Sequence, residues 1–512
     1  MSTSSDTGTT AQTSSQPDGP NLPPDVDPNT GRPKPPDGCL PEIGQATDLD
    51  ASLRFAAANH EVLRYNPGVG WLHWTGSHWA SDNDGARAVE LSKECARRWT
   101  ADALHAFRQK QTQDNGRLVK TALALESASH LRAAADLAQS DPRIVISTPE
   151  LDRDPWKFCV QNGTIDLRTG ALAPHRREDF ITKQAPVDYV PGVTHDALNR
   201  CLENMEKTSP GMPGFMARCF GAALTGDTSC EALFMLQGEG GSGKTTITEA
   251  FAGMLGAYAV KLPFNSFCLT KHGRAPGAAS PDLVKLRGAR FAYASEGDQS
   301  AKLDAGQVKA LTGGEPYTAR ELFKAQITFE QTWKLWLVSN YDPRVDSEDT
   351  GMWRRIVKIP FATVPPEARD PNLKHTLTKD PAARSALLVW ALKGCLEWQK
   401  GGLGRAGLGI PGEVASVTEA YRVRQDALAD WWADLLKDHT LSSGEFCSGA
   451  LIRMNYSEWA TSEGVDQVPA RRLNSYLESR GLKNSRRGGV RGWEGIFWNE
   501  APGRRGQKTT TL

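Results

Sequence analysis

Glu231-Ala-Leu-Phe-Met-Leu-Gln-Gly-Glu-Gly-Gly-Ser-Gly-Lys-Thr-Thr246 is the stretch from which the fold is read. Ala232 to Gln237 is a short, nearly continuous apolar run, as a buried parallel strand requires. Gly238 to Thr245 fits G-x-x-x-x-G-K-[ST] without mismatch. From Thr246 the pattern turns helical: Ile247, Ala250, Phe251, Met254 and Leu255 recur at three- and four-residue spacing. Strand, glycine loop and helix together make a phosphate-binding loop. Gly238, Gly240, Gly241 and Gly243 let the backbone curl so that its N–H groups point at phosphate oxygens. The helix start adds the positive end of its dipole. Gly238, Glu239, Gly240, Gly241, Ser242, Gly243, Lys244, Thr245 and Thr246 are therefore the predicted ATP-binding residues. Lys244 is predicted to reach the β- and γ-phosphates, and the Thr245 hydroxyl to ligate Mg²⁺.

A chain of 512 residues has room for two to four domains. Lys and Arg balance Asp and Glu at 60 each, so overall charge names no partner. The distribution says more: from Pro469 onward ten basic residues face three acidic ones, a local net of +7. The nine cysteines form no C-x-x-C pair, which argues against a zinc site or disulfide framework and for a reducing cytosol. No run of 18 apolar residues exists, so no membrane partner is expected.

Residues 1–44 carry eight prolines before Leu40 and few aliphatics, and read as a disordered tail. Residues 45–194 read as an α-rich domain. Within it, Leu49 to Leu63, Ala86 to Phe107 and Leu118 to Ala138 are helical in period. Trp71–Trp74 and His78-Trp79 suggest a hairpin, and Asn162-Gly163 marks a turn between two short apolar runs.

From 195 to 365 apolar runs alternate with helical patterns, the signature of an α/β fold on a parallel sheet. Arg290-Phe-Ala-Tyr-Ala-Ser-Glu296 is a strand ending in an acid, about fifty residues after the glycine loop. Glu296, or Asp298 two residues on, is placed to hold Mg²⁺ or orient the attacking water. Lys334-Leu-Trp-Leu-Val-Ser-Asn340 is a further buried strand, whose terminal amide suits a γ-phosphate sensor. Between them, Tyr317–Glu321 and Gln326–Phe329 can pair as a hairpin with Lys324 near its tip, a shape suited to a nucleic-acid backbone. Arg354 and Arg355 can serve a neighbouring subunit's nucleotide.

Residues 366–444 read as a helical lid or linker, and 501–512 as a basic tail. In 445–500, two helices precede a basic loop between short strands, the pattern of a winged helix-turn-helix. Pro469–Arg480 is its expected recognition helix, with Arg471 and Arg472 near the start. Arg486, Arg487 and Arg491 fall in the wing, and Trp493, Phe497 and Trp498 imply a packed core.

The order Gly238–Thr245, Ala294-Ser-Glu296, Lys309-x-Leu-Thr-Gly-Gly-Glu315 with Ala319-Arg320, Leu335-Trp-Leu-Val-Ser-Asn340 and Trp353-Arg-Arg355 resembles the superfamily 3 helicases. The branch it is similar to is the poxvirus-like and phage/plasmid primase–helicase family, over roughly residues 45 to 500. The resemblance implies an AAA+-like P-loop ATPase core, a homo-hexameric ring and 3′→5′ movement on single-stranded DNA. It implies Glu296 as the Walker B acid; Gly297 separates it from Asp298, so either of the two can take Mg²⁺ while the other orients water. Asn340 would be the sensor and Arg354 or Arg355 the trans-acting arginine. Residues 309–329 would face the pore, with Lys309, Arg320 and Lys324 on DNA. Many relatives carry a primase domain where this chain has its Pro-rich tail, so primer synthesis is not expected of it and a separate primase or polymerase is an expected partner. The expectation is thus a multidomain α/β, ATP- and Mg²⁺-dependent DNA helicase for phage or mobile-element replication in a bacterial host cytoplasm, acting on single- and double-stranded DNA. The alternatives are a replication initiator without sustained unwinding and a DNA translocase.

Overall fold

The computed structural model describes residues 47–269, 280–295, 301–320, 326–346, 349–463 and 467–498. Contacts divide the chain into two units, one running to Arg153 and including Arg177–Thr182, the other comprising Asp154–Arg176 and everything from Lys183.

The first unit begins with α1 (Asp48–Asn59), whose N-terminus is capped by the Thr47 hydroxyl accepting from the Asp50 N–H at 3.2 Å. Strands β1 (Leu63–Asn66), β2 (Gly70–Trp74) and β3 (Trp79–Asp82) form an antiparallel sheet in which Trp74 faces Trp79. Helices α2 (Ala86–Gln109), α3 (Gln113–Ala124) and α4 (Ala128–Ala138) follow. The periodic segment Leu118–Ala138 is thus two helices. They part at Glu126, whose carboxylate accepts from the Thr100 hydroxyl at 2.7 Å.

The second unit opens with β4 (Lys157–Val160), β5 (Gly163–Asp166) and β6 (Ala171–Ala173). Val160 pairs with Gly163, so Gln161 and Asn162 form the turn, one residue earlier than the Asn-Gly signal suggests. Phe158, Val160, Ile165 and Leu167 pack into the same core as the central sheet. Helices α5 (Asp196–Thr208) and α6 (Met212–Leu224) lead into that sheet. Its elements are β7 (Leu233–Gln237), α7 (Lys244–Leu255), β8 (Ala259–Lys261), α8 (Pro281–Val284), β9 (Phe291–Ser295), α9 (Ala305–Thr312), the hairpin β10 (Tyr317–Arg320) and β11 (Gln326–Phe329), β12 (Lys334–Ser339), α10 (Thr350–Trp353) and β13 (Ile356–Pro360).

The five central strands are parallel, in the order β13-β7-β12-β9-β8. Both faces are covered, which is why these strands are apolar throughout rather than alternating. Phe234, Phe291 and Trp336 point to one face, where Phe220 of α6 and Phe251 of α7 complete an aromatic cluster. Trp336 stacks on Phe234 at 4.4 Å and on Phe220 at 4.9 Å between ring centroids. Leu233, Met235, Leu335 and Leu337 point to the other face. Truncating so large a buried side chain costs ~3–5 kcal/mol, so this cluster holds β7 and β12 side by side.

Helices α11 (Leu373–Lys379), α12 (Pro381–Lys400), α13 (Gly404–Leu408) and α14 (Gly412–Arg424) follow β13. A separate hydrophobic core then gathers α15 (Ala427–Asp438), β14 (Thr440–Ser448), α16 (Gly449–Ser462), α17 (Ala470–Ser479), β15 (Lys483–Arg487) and β16 (Val490–Phe497). Its antiparallel sheet runs β14-β16-β15. Trp493 is buried in this core, Trp498 stacks on His439 at 3.8 Å, and Phe497 is exposed. The molecule is therefore a mixed α/β, multidomain chain with a parallel sheet. No helix among the described residues is long and apolar enough to cross a membrane.

Candidate nucleotide-binding site

Strand β7 ends at Gln237, and the chain turns through Gly238–Gly243 before α7 starts at Lys244. Gly241 and Gly243 hold φ of +83° and +84°, which favours glycine. Gly238 is needed for another reason: a Cβ there would stand 2.2 Å from the Phe361 carbonyl oxygen. Gly240 has open space around it and no such constraint. The Ile247 N–H bonds to the Gly243 carbonyl, so the first-turn N–H groups of α7 face back toward the loop.

Lys244 sits at the centre of this turn, 4% exposed. Its ammonium donates to the carbonyls of Gly238 at 2.5 Å and Glu239 at 3.0 Å, and to Ser242 Oγ at 3.1 Å. A fourth contact, at 3.0 Å, is to Asn340 Oδ1. Burial pushes the Lys244 pKa below its ordinary value. The contact to Asn340 follows from strand order. β12 lies directly beside β7 with Ser339 opposite Gln237, so the residue after each strand leaves the sheet at the same level. Thr245 is exposed on the first turn of α7, and Thr246 is half-buried. β9 flanks β12 on its other side, with Ser295 opposite Val338. Glu296 and Asp298, which follow Ser295, lie outside the described residues.

Arg354 and Arg355 lie at the opposite end of the sheet. The Arg355 carbonyl accepts from the Leu233 N–H at 2.8 Å, at the start of β7. Four residue rises, ~13 Å, separate that end from the glycine loop. Both guanidiniums reach Glu231 Oε2 at 3.2 Å, yet their surroundings differ. The Arg355 side chain is 9% exposed and also donates to the Gly351 carbonyl at 2.8 Å, whereas Arg354 is 66% exposed. Arg355 is a buried structural cation, and Arg354 is the accessible one.

A cavity of about 360 Å³ opens beside the loop. Gly241, Ser242 and Ile247 form one wall, α5 supplies Cys201 and Met205, and residues 360–374 close the third side. The sequence reading did not find it. Its walls come from three distant stretches, and Arg369, which lines it, lies in a proline-rich connection without a motif.

Residues 52–220 match the family described as D5 N terminal like, and residues 236–355 match a family of unknown function, DUF5906. A protein of Acanthamoeba polyphaga mimivirus named a putative helicase is 27% identical over 371 residues, covering 68% of this chain and 37% of its own length. A Frog virus 3 protein, also named a putative helicase, is 26% identical over 427 residues, covering 67% and 42%. An African swine fever virus protein named a putative primase is 25% identical over 350 residues, covering 65% and 36%. These matches support a D5-like primase–helicase family. The chain spans 36% to 42% of the length of these three relatives. Among solved structures, the apo C-terminal region of NrS-1 aligns over 72% of this chain and 90% of its own, at 10% identity and a TM-score of 0.41. That score is too low to establish a common fold.

The second matched span runs from the end of β7 to Arg355, and so encloses the loop, Asn340 and the arginine pair. The residues expected on DNA fall into two groups. Lys309 on α9 is engaged by Asp349 at 2.9 Å, and its ammonium holds the Asp349 carboxyl below the usual range. Arg320 ends β10, half-buried, and Lys324 lies outside the described residues. Arg472 on α17 pairs with Asp346 at 3.2 Å, in the segment that follows Asn340, while Arg471 is exposed. Arg486, Arg487 and Arg491 are all exposed on the β15–β16 hairpin, where Arg486 faces Arg491 across the ladder. Its turn, Gly488-Gly489, has φ of +58° and +82°, as a two-residue hairpin turn of the mirror type requires. No cluster of three or more His, Cys, Asp or Glu that could hold a metal occurs among the described residues.

Proposed function

We propose that the chain is an ATP-dependent DNA helicase of the D5-like primase–helicase type, acting in replication of a phage or mobile element. The contact between Lys244 and Asn340 carries the reading. It joins the glycine loop to the tip of the neighbouring strand, where a γ-phosphate would be both held and sensed.

The residues present suit a nucleoside triphosphate with Mg²⁺. The loop carries a buried cation, two left-handed glycines and the N–H groups of a helix start, with a cavity alongside. Lys244 would exchange its loop carbonyls for phosphate oxygens. Thr245 would hold Mg²⁺ together with one of Glu296 and Asp298, and the ion would neutralise charge on the phosphates. The other acid would orient water, and Asn340 would report loss of the γ-phosphate. Arg354 stands too far from its own loop to serve it, which favours a ring, in our reading a homo-hexamer, where it serves a neighbour. The helix–strand–helix–helix–hairpin order of residues 427–497 reads as a winged helix-turn-helix, with α17 as recognition helix and Arg486, Arg487 and Arg491 on phosphates. The β10–β11 hairpin would contact single-stranded DNA in the pore.

The test is unwinding of a forked duplex with ATP and Mg²⁺, comparing wild type with Lys244→Ala. Strand separation that needs a 3′ tail and vanishes in the variant is expected. ATP hydrolysis without separation on any fork would remove the motor reading and leave an ATP-gated initiator.

A further inference from the structure

The segment that follows Asn340 is held by several neighbours, and one of them is a residue read as a DNA contact. Asp342 pairs with the buried ammonium of Lys358 on β13 at 2.6 Å. The Arg344 N–H donates to the Ala301 carbonyl at 2.8 Å, and the Leu303 N–H donates to the Arg344 carbonyl at 2.9 Å, which ties the segment to the chain just before α9. From α14, the Tyr421 hydroxyl donates to the Pro343 carbonyl. Gln425, which caps that helix, accepts from the Val345 N–H at 2.9 Å. The chain then enters α15 and the C-terminal core. That core supplies the last anchor: Arg472, in the first turn of α17, reaches Asp346 at 3.2 Å. Of the two arginines that start the expected recognition helix, Arg471 is exposed, whereas Arg472 is half-buried and turned onto this segment.

We propose that the Arg472–Asp346 pair is a latch between nucleotide and DNA: while it is closed α17 is withheld from duplex DNA, and a duplex phosphate that takes Arg472 releases the segment behind Asn340. The proposal rests on the sensor and winged-helix readings above and gives them a common regulation. An ion pair with one exposed partner is weak enough to exchange, and a phosphate offers the same guanidinium a charge-assisted fork. The anchors from α14 are neutral hydrogen bonds that a phosphate does not address, so Arg472 is the one through which DNA acts. Two ligands then pull in the same direction. The duplex takes Arg472 from Asp346, and a bound triphosphate takes Lys244 from Asn340 at the other end of the same segment. Each removes a contact that keeps the docked arrangement, so each favours binding of the other by an equal factor.

The test is the affinity of the full chain for a random-sequence duplex, measured by fluorescence anisotropy over a range of salt, with and without a non-hydrolysable ATP analogue and Mg²⁺. Asp346 is exposed, so Asp346→Ala and Asp346→Asn open no core. Without nucleotide each should tighten duplex binding roughly two- to fivefold, the strength of one partly exposed pair. Each should also steepen the slope of log affinity against log salt by about one, for one more phosphate contact. In the wild type the analogue should tighten duplex binding by a similar factor, and in the Asp346 variants it should add nothing. Removing an acid near DNA also tightens binding through general charge, so Asp346→Ala is repeated on Arg472→Ala, where it should have no effect. Wild-type affinity and salt slope in both Asp346 variants, or an equal gain with Arg472 removed, overturns the proposal. So does an analogue effect that persists in Asp346→Ala. If Arg486→Ala combined with Arg487→Ala leaves duplex binding intact, the winged-helix reading falls and takes the latch with it. If Lys244→Ala binds the analogue normally, the phosphate-loop reading falls, and the nucleotide half of the latch with it.

Discussion

Replacing Asn340 by Ala separates catalysis from stability at this site. The Lys244 ammonium has three protons and four acceptors within 3.1 Å: two carbonyls, a hydroxyl and the Asn340 amide. Removing the amide leaves three acceptors for three protons, so the buried cation stays satisfied. Asn340 itself is exposed, and no packing is lost. The stability cost should stay near ~1 kcal/mol, a fall in Tm of about 2–4 °C for a domain of this size. Under the proposed sensor role turnover should suffer far more, because an amide donating to the reacting phosphate would act in the transition state. Loss of one such contact lowers kcat by roughly 100- to 1,000-fold. ATP affinity should barely change. The assay is DNA-stimulated ATP hydrolysis with binding of a labelled nucleotide, alongside a thermal melt. A kcat within about threefold of wild type, under about 1 kcal/mol of barrier, refutes the assignment. So does a loss of affinity that accounts for the whole effect.

The arginine pair should divide in the same manner. Arg355→Ala removes a buried cation and should cost ~1–3 kcal/mol, seen as a lower Tm. Arg354→Ala should melt within ~0.5 kcal/mol of wild type yet hydrolyse no ATP, and mixing it with Lys244→Ala should restore activity, because intact loops then meet intact fingers. Recovery failing in such mixtures would deny Arg354 its role in trans. Lys334, buried at the start of β12, donates to the Thr225 carbonyl at 2.6 Å, and burial pushes its pKa from 10.5 down to about 7. Between those values the unfolded chain binds a proton that the folded chain does not, so this residue makes stability rise with pH from about 7 to 10.5. Melts at neutral and alkaline pH should show that Lys334→Met loses this rise, and an identical pH dependence in the two proteins would refute it.

The strand–glycine-loop–helix turn was legible in the sequence because its causes are local. One strand, two left-handed glycines and one helix start within Glu231–Thr246 are enough to build it, whatever surrounds them. The hairpin β10–β11 was legible for the same reason, since it pairs with its own neighbour, whereas the basic segment read as a loop between strands is itself the β15–β16 hairpin, with Arg486, Arg487 and Arg491 on its strands. Asn340 was legible as a strand end, but its partner was not. Which strand lies beside β7 depends on a sheet order that skips in sequence, and Trp336 packing on Phe234 and Phe220 helps to hold it. Adjacent arginines looked alike in sequence and were separated only by burial: the chain turns into β13 with Arg355 inward and Arg354 outward. Arg369 carried no signal at all, because its place depends on three stretches of chain meeting around Gly241. By itself, then, the sequence determined the glycine loop, the alternation of strand and helix, and the basic C-terminal segment, all set by neighbours within a few residues. Which side chains meet across the loop was decided by the tertiary structure, because those contacts arise from burying both faces of one sheet.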